Sequence, residues 1–155
     1  MASGDQTSPR IIPDGSGGAV ITWQDERAGN SDIYAQRLGM AAGTSQWISD
    51  GVVVNTAAMD QISPRIIPDG EGDVIVSWED LRNGADYDIY AQKIDMASGA
   101  LLWRSGGASV SVRAGDQTDH LIVSNDSGGA IITWVDNRNG NEDIYAQEIR
   151  SDGTR

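Results

Sequence analysis

The stretch from Trp23 to Gln36 reads WQDERAGNSDIYAQ, and the same phrase returns as WEDLRNGADYDIYAQ from Trp78 and as WVDNRNGNEDIYAQ from Trp134. Trp23 and Trp78 lie 55 positions apart, and Trp78 and Trp134 lie 56 apart. Uniform spacing of this order marks a repeat protein, in which each copy is one supersecondary unit. Asp5, Asp60 and Asp116 open the three units. The first and third align without a gap, and the second carries one extra residue before Asp88.

Each unit reads as strands. Arg10-Ile11-Ile12-Pro13 matches Arg65-Ile66-Ile67-Pro68 and Leu121-Ile122-Val123-Ser124. A glycine-rich turn follows (DGSGG, DGEGD, NDSGG), where glycine supplies positive φ. The next run, AVITW, VIVSW or IITW, is apolar on both faces, as in a strand covered on two sides. The motif loop leads to DIYAQRL, DIYAQKI or DIYAQEI. A weaker fourth strand is predicted at Gly51–Asn55 and Ala108–Val112, with no counterpart after the third unit. Four short strands per unit match the blade of a β-propeller, although blade repeats run to about 40–50 residues. The excess lies in MAAGTSQWISD and MASGALLWRSG, between strands three and four. The predicted class is therefore all-β: four-stranded antiparallel blades over residues 1–58 and 59–114, and a blade lacking its fourth strand over 115–155.

The string P-R-I-I-P-D-G, then an apolar strand, D-x-R-x-G and D-I-Y, resembles the WD-like propeller repeat of TolB and its relatives. It is also similar to repeats of large secreted bacterial proteins with G-G-A-x-x-x-W-x-D-x-R. The resemblance spans nearly the whole chain and implies a propeller fold and an extracellular or periplasmic location. The unit is longer than the TolB repeat and has Trp where that repeat usually has Phe.

The repeated polar residues predict a loop clamp. Asp25, Arg27 and Asp32 recur as Asp80, Arg82, Asp88 and as Asp136, Arg138, Asp143. An aspartate beside a turn accepts backbone N–H groups, and an arginine between two aspartates can bridge the loop ends. A single active site would not need three copies. Trp23, Trp78 and Trp134 fall in phase with apolar strand residues, which predicts indoles packed between blades; Tyr34, Tyr90 and Tyr145 follow the same logic. Trp47 and Trp103, in the longer segment, have no third counterpart and are the better candidates for exposed aromatics that contact a ligand, although packing is the favoured reading for them too. His120 is the one histidine and replaces Pro9 and Pro64 at the start of an inner strand; it and the inner-strand arginines Arg10 and Arg65 complete the candidate ligand contacts. A general-base role for His120 competes with a tolerated substitution, and no motif places a serine beside it. The glycine-rich turns carry too few carboxylates for a calcium site, and no metal or cofactor is expected.

The formal charge of −12 and pI near 4.2 disfavour nucleic acid and anionic membrane as partners. Without cysteine there is neither a disulfide nor a thiolate nucleophile. The opening MASGDQTSPR has no apolar h-region, so no signal peptide is expected. Three blades form an open arc with two apolar faces, whereas closed propellers use about 4–8. A head-to-tail pair of chains would close six blades; a fragment of a larger protein is the other account, and the last blade's missing strand could come from a neighbour's MASG leader. The function expected is a non-catalytic scaffold or interaction module, with a multivalent carbohydrate-binding protein as the alternative. A sialidase- or glycosidase-like hydrolase ranks below both, since no paired carboxylates stand outside the repeats.

Overall fold

The computed structural model describes residues 3–40 and 43–155. The ends of the leader (Met1, Ala2) and of the longer segment (Ala41, Ala42) lie outside the described residues, and with them part of the proposed strand donation by MASG.

Three antiparallel sheets follow one another along the chain. The first is β1 (Gln6–Pro13), β2 (Ala19–Asp25), β3 (Asp32–Leu38) and β4 (Val52–Asn55), in sequential order. The second repeats it with β5 (Gln61–Pro68), β6 (Val74–Asp80), β7 (Asp88–Ile94) and β8 (Ala108–Ser111). The third has β9 (Gln117–Ser124), β10 (Ala130–Asp136) and β11 (Asp143–Ile149). The third-strand prediction matches β3, β7 and β11. The first strands start earlier than predicted and the second strands run past the tryptophan, because beyond a bulge the chain rejoins the ladder at Gln6↔Asp25, Gln61↔Asp80 and Gln117↔Asp136.

That bulge is a repeated device. Ser8, Ser63 and Asp119 hold φ of 52°, 56° and 51° at equivalent points of β1, β5 and β9, where the register shifts. A bulge bends its strand and frees an amide. The freed N–H of Ser63 donates to Gln24 Oε1 of the preceding sheet at 3.1 Å, and that of Asp119 to Glu79 Oε1 at 2.9 Å.

The sheets stack face to face. β5 lies against β1, β2 and β3, and β9 lies against β5, β6 and β7, so the first strand of each sheet converges on a common interior. One apolar core joins Val20, Ile33, Ala35 and Val54 of the first sheet to Ile66, Val74, Val76 and Trp78 of the second. The other joins Ile75, Ile89, Ala91 and Val110 to Ala130, Ile132 and Trp134 of the third. Every residue of β6 and β7 is buried, which is why VIVSWED shows no alternation. The outer sheets are covered on one face. Ile75 and Ile89 are fully buried, while their counterparts Ile131 and Ile144 are 44% and 75% exposed.

Candidate functional site: the repeated clamp and the surfaces it leaves open

Asp25, Asp80 and Asp136 are fully buried and end their strands. Each carboxylate accepts the indole N–H of the tryptophan two residues earlier, at 2.8, 2.6 and 2.8 Å. Each also accepts the backbone N–H of the arginine two residues later, at 3.0, 2.9 and 3.0 Å. That arginine closes a bidentate pair on the same carboxylate. Its guanidinium lies over the tyrosine ring of the next strand, 3.8–4.0 Å from the centroid, and the tryptophan and tyrosine stack. The Arg138 hydrogen bonds hold the Asp136 carboxyl down at about 2.

Contrary to the expected clamp, the arginine does not bridge two aspartates. The second aspartates, Asp32 and Asp88, sit opposite the first in the ladder and take other partners. Asp32 accepts from the Asn30 amide, and Asp88 from the Asn83 amide and the Arg113 N–H. The arginine instead pairs bidentately with the first aspartate, two residues before it in the chain. Burial pushes Asp88 up to about 6, with Asp86 and Asp80 adding repulsion. Asp143 is exposed.

Trp47 and Trp103 are buried, at 6% and 7% exposure, and are not exposed ligand contacts. Each indole crosses to the next sheet. Trp47 donates to Met96 O at 3.1 Å and Trp103 to Ser151 O at 2.9 Å. A Cβ built on Gly99 or Gly153 would stand 2.8 Å from those rings, so glycine is what admits them. His120 is likewise fully buried. Its Nε2 lies 2.9 Å from Ser77 Oγ and its Nδ1 3.6 Å from Glu79 Oε1. The structure thus places a serine beside it that no motif predicted, and Ser77 is fully buried in the same interface. Arg65 is half-buried and directed at His120 O at 3.4 Å, and Arg10 donates to Pro9 O at 2.9 Å.

Two groups of residues escaped the sequence reading. Asp60 and Asp116 accept the Ser31 and Tyr87 amides of the preceding sheet, both at 3.0 Å. Gln36 and Gln92, the last residues of the repeated D-I-Y-A-Q, hold the long segment of their own blade. Gln36 accepts the Trp47 N–H and donates to Ile48 O; Gln92 accepts the Trp103 N–H and donates to Arg104 O. Repetition was the available signal for both.

The turn aspartates Asp14 and Asp69 accept two or three amides of their own turns and pair with Arg37 and Lys93. Among the described residues no three histidine, aspartate or glutamate side chains group as metal ligands. The surface clefts are shallow. One of about 310 Å³ runs along Trp103, Arg104 and Asp152, and one of about 110 Å³ lies between Trp134, Arg138 and Tyr145.

No family model and no curated protein matches the chain. Solved structures do. The chain is similar to a candidate glycoside hydrolase from Parabacteroides distasonis, with TM-score 0.58 and 12% identity over 99% of this chain and 49% of the other. It is also similar to an endo-arabinase from Bacteroides thetaiotaomicron, with TM-score 0.52 and 16% identity over 93% of this chain and 55% of the other. The chain therefore spans about half the length of the structures it matches. At these identities the likeness concerns the fold alone: an all-β chain of three antiparallel sheets arranged as propeller blades.

Proposed function

We propose that the chain is a non-catalytic propeller module, a scaffold that works outside the cytoplasm and closes by head-to-tail association of two copies into six blades. The observation that carries it is the open face of the third blade. Leu121, Val123, Ile131 and Ile144 are all exposed there, at 44–75%, and Leu121 stands where the other blades have Arg10 and Arg65. Large contiguous apolar patches on soluble proteins mark interaction sites. The opposite end offers Ile11, exposed, and half-buried Ile21 and Trp23. The repeated motifs meanwhile serve blade structure in all three copies. Light scattering after size exclusion tests the reading: a mass near twice 16.5 kDa, falling to the single-chain value in Ile144→Asp, supports it, and a stable wild-type monomer overturns it.

A carbohydrate-binding role is the second reading. It is favoured by the fold shared with two proteins described as a glycoside hydrolase and an endo-arabinase. Calorimetric titration with arabinan oligosaccharides tests it, and absence of heat at millimolar ligand rejects it.

A further inference from the structure

The third blade keeps the whole apparatus that holds a fourth strand in the other two. In the first blade β4 pairs with β3 through Tyr34↔Val53 and Ala35↔Val52, and in the second β8 pairs with β7 through Tyr90↔Ser109 and Ala91↔Ala108. Among the described residues β11 pairs only with β10, so its outer row of N–H and C=O groups is free to template another strand.

Four side chains recognise that segment in the complete blades, and each has a counterpart in the third. Gln36 and Gln92 grip the segment backbone at its tryptophan; Gln147 instead turns back onto Glu148 O. Arg27 and Arg82 each donate to a segment carbonyl, Asp50 O at 3.1 Å and Gly106 O at 2.9 Å. Arg138 reaches sideways to Ser111 Oγ of the second blade at 3.5 Å. The ring edges of Trp23 and Trp78 abut Gly51 and Gly107, where a Cβ would approach Cη2 to 2.6 Å. Beside Trp134 the corresponding place is the cleft of about 110 Å³. Tyr34 and Tyr90 are buried, whereas Tyr145 is half-buried.

From this equivalence we propose that the β11 edge is a strand-addition site for an extended segment with the chemistry of the fourth strands of the other two blades. The segment has a tryptophan, a glycine four residues later and then small or β-branched residues, the spacing of Trp47–Gly51 and Trp103–Gly107. Main-chain ladder bonds supply affinity, and the glycine and the glutamine grip supply selectivity. The site is an edge, not the open face, so it exists whether the chain is a monomer or a ring.

The probe is a fluorescein-labelled peptide of residues 101–112, LLWRSGGASVSV, titrated into the full chain and followed by anisotropy and hydrogen exchange. Saturable binding of one peptide per chain, with new protection confined to β11, is expected. The same peptide carrying Gly107→Val should bind about tenfold more weakly or worse, since overpacking of this kind is worth about a factor of ten. Gln147→Ala in the chain should weaken binding, while Glu148→Gln should leave it unchanged. If Gln147→Ala does not fold, the peptide pair still decides. Absence of binding at millimolar peptide, equal binding of both peptides, or protection of β11 by self-association that the peptide does not displace would each overturn the proposal.

Discussion

Asp88 and Asp136 are ladder residues of the same motif with opposite electrostatics. Asp136 gains a guanidinium and two N–H donors, so its ionised form is favoured. Asp88 is buried opposite Asp80 and near Asp86, and its neutral form is favoured. The linkage therefore has two signs. Asp136 contributes stability that is present above the ordinary carboxyl value of 3.8 and is lost as pH falls toward about 2. Between 3.8 and about 6 the folded chain holds a proton on Asp88 that the unfolded chain has released, so this residue makes stability fall as pH rises through that window. Asp88→Asn should flatten the slope there and leave the acid limb below it intact. Urea midpoints at half-unit pH intervals measure this, and parallel curves for wild type and variant would refute it. None of this was legible in the sequence, where Asp25 and Asp32 look interchangeable around Arg27. The choice is made by backbone: the arginine two residues past the first aspartate gives it both its N–H and its side chain.

At the scale of the strand, local signals are legible in the sequence and long-range ones are not. The turns, the apolar runs and D-I-Y-A-Q locate most strand boundaries because alternation and glycine punctuation are local properties. What buries Trp47 and Trp103 is not legible locally, because their partners lie 49 and 48 residues away. Gln36 and Gln92 likewise grip segments 11 and 12 residues on, and a polar residue on a strand gives no periodic signal of that. The adjacent glycines of the fourth segment separate conformation from packing. Gly106 (φ 80°) corresponds to Asp50 (φ 65°), so the repeat already accepts a side chain there. Gly107 (φ 83°) has the Trp78 ring 2.6 Å from any Cβ. Gly107→Ala should cost about 1–2 kcal/mol for the left-handed backbone and about 1–3 more for overpacking. Gly106→Asp should stay within about 1 kcal/mol, since aspartate tolerates that region. Chemical denaturation of the two variants compares them, and equal losses would show that the indole yields easily.

At the scale of the molecule, blade contacts within the chain predict what a contact between chains would lack. Inside the chain, Lys93 of the second blade donates to Gly128 O of the third, and Arg37 of the first donates to Met96 O of the second. Gln24 and Glu79 accept the bulge amides of the following blade. The third blade presents Glu148 and Val135 at these positions, so its face offers neither the cation nor the acceptor. A head-to-tail joint would rest on Leu121, Val123, Ile131 and Ile144 alone and would bury the Glu148 carboxylate against carbonyl oxygens. Burying an unpaired charge is costly, and removing it relieves that cost as well as adding a donor. Glu148→Lys should therefore tighten head-to-tail association about tenfold, the equivalent of roughly 1.4 kcal/mol, without changing the fold of the single chain. Sedimentation velocity over a dilution series measures the shift. Weaker association in Glu148→Lys would mean that the partner on this face is not the first blade of another copy.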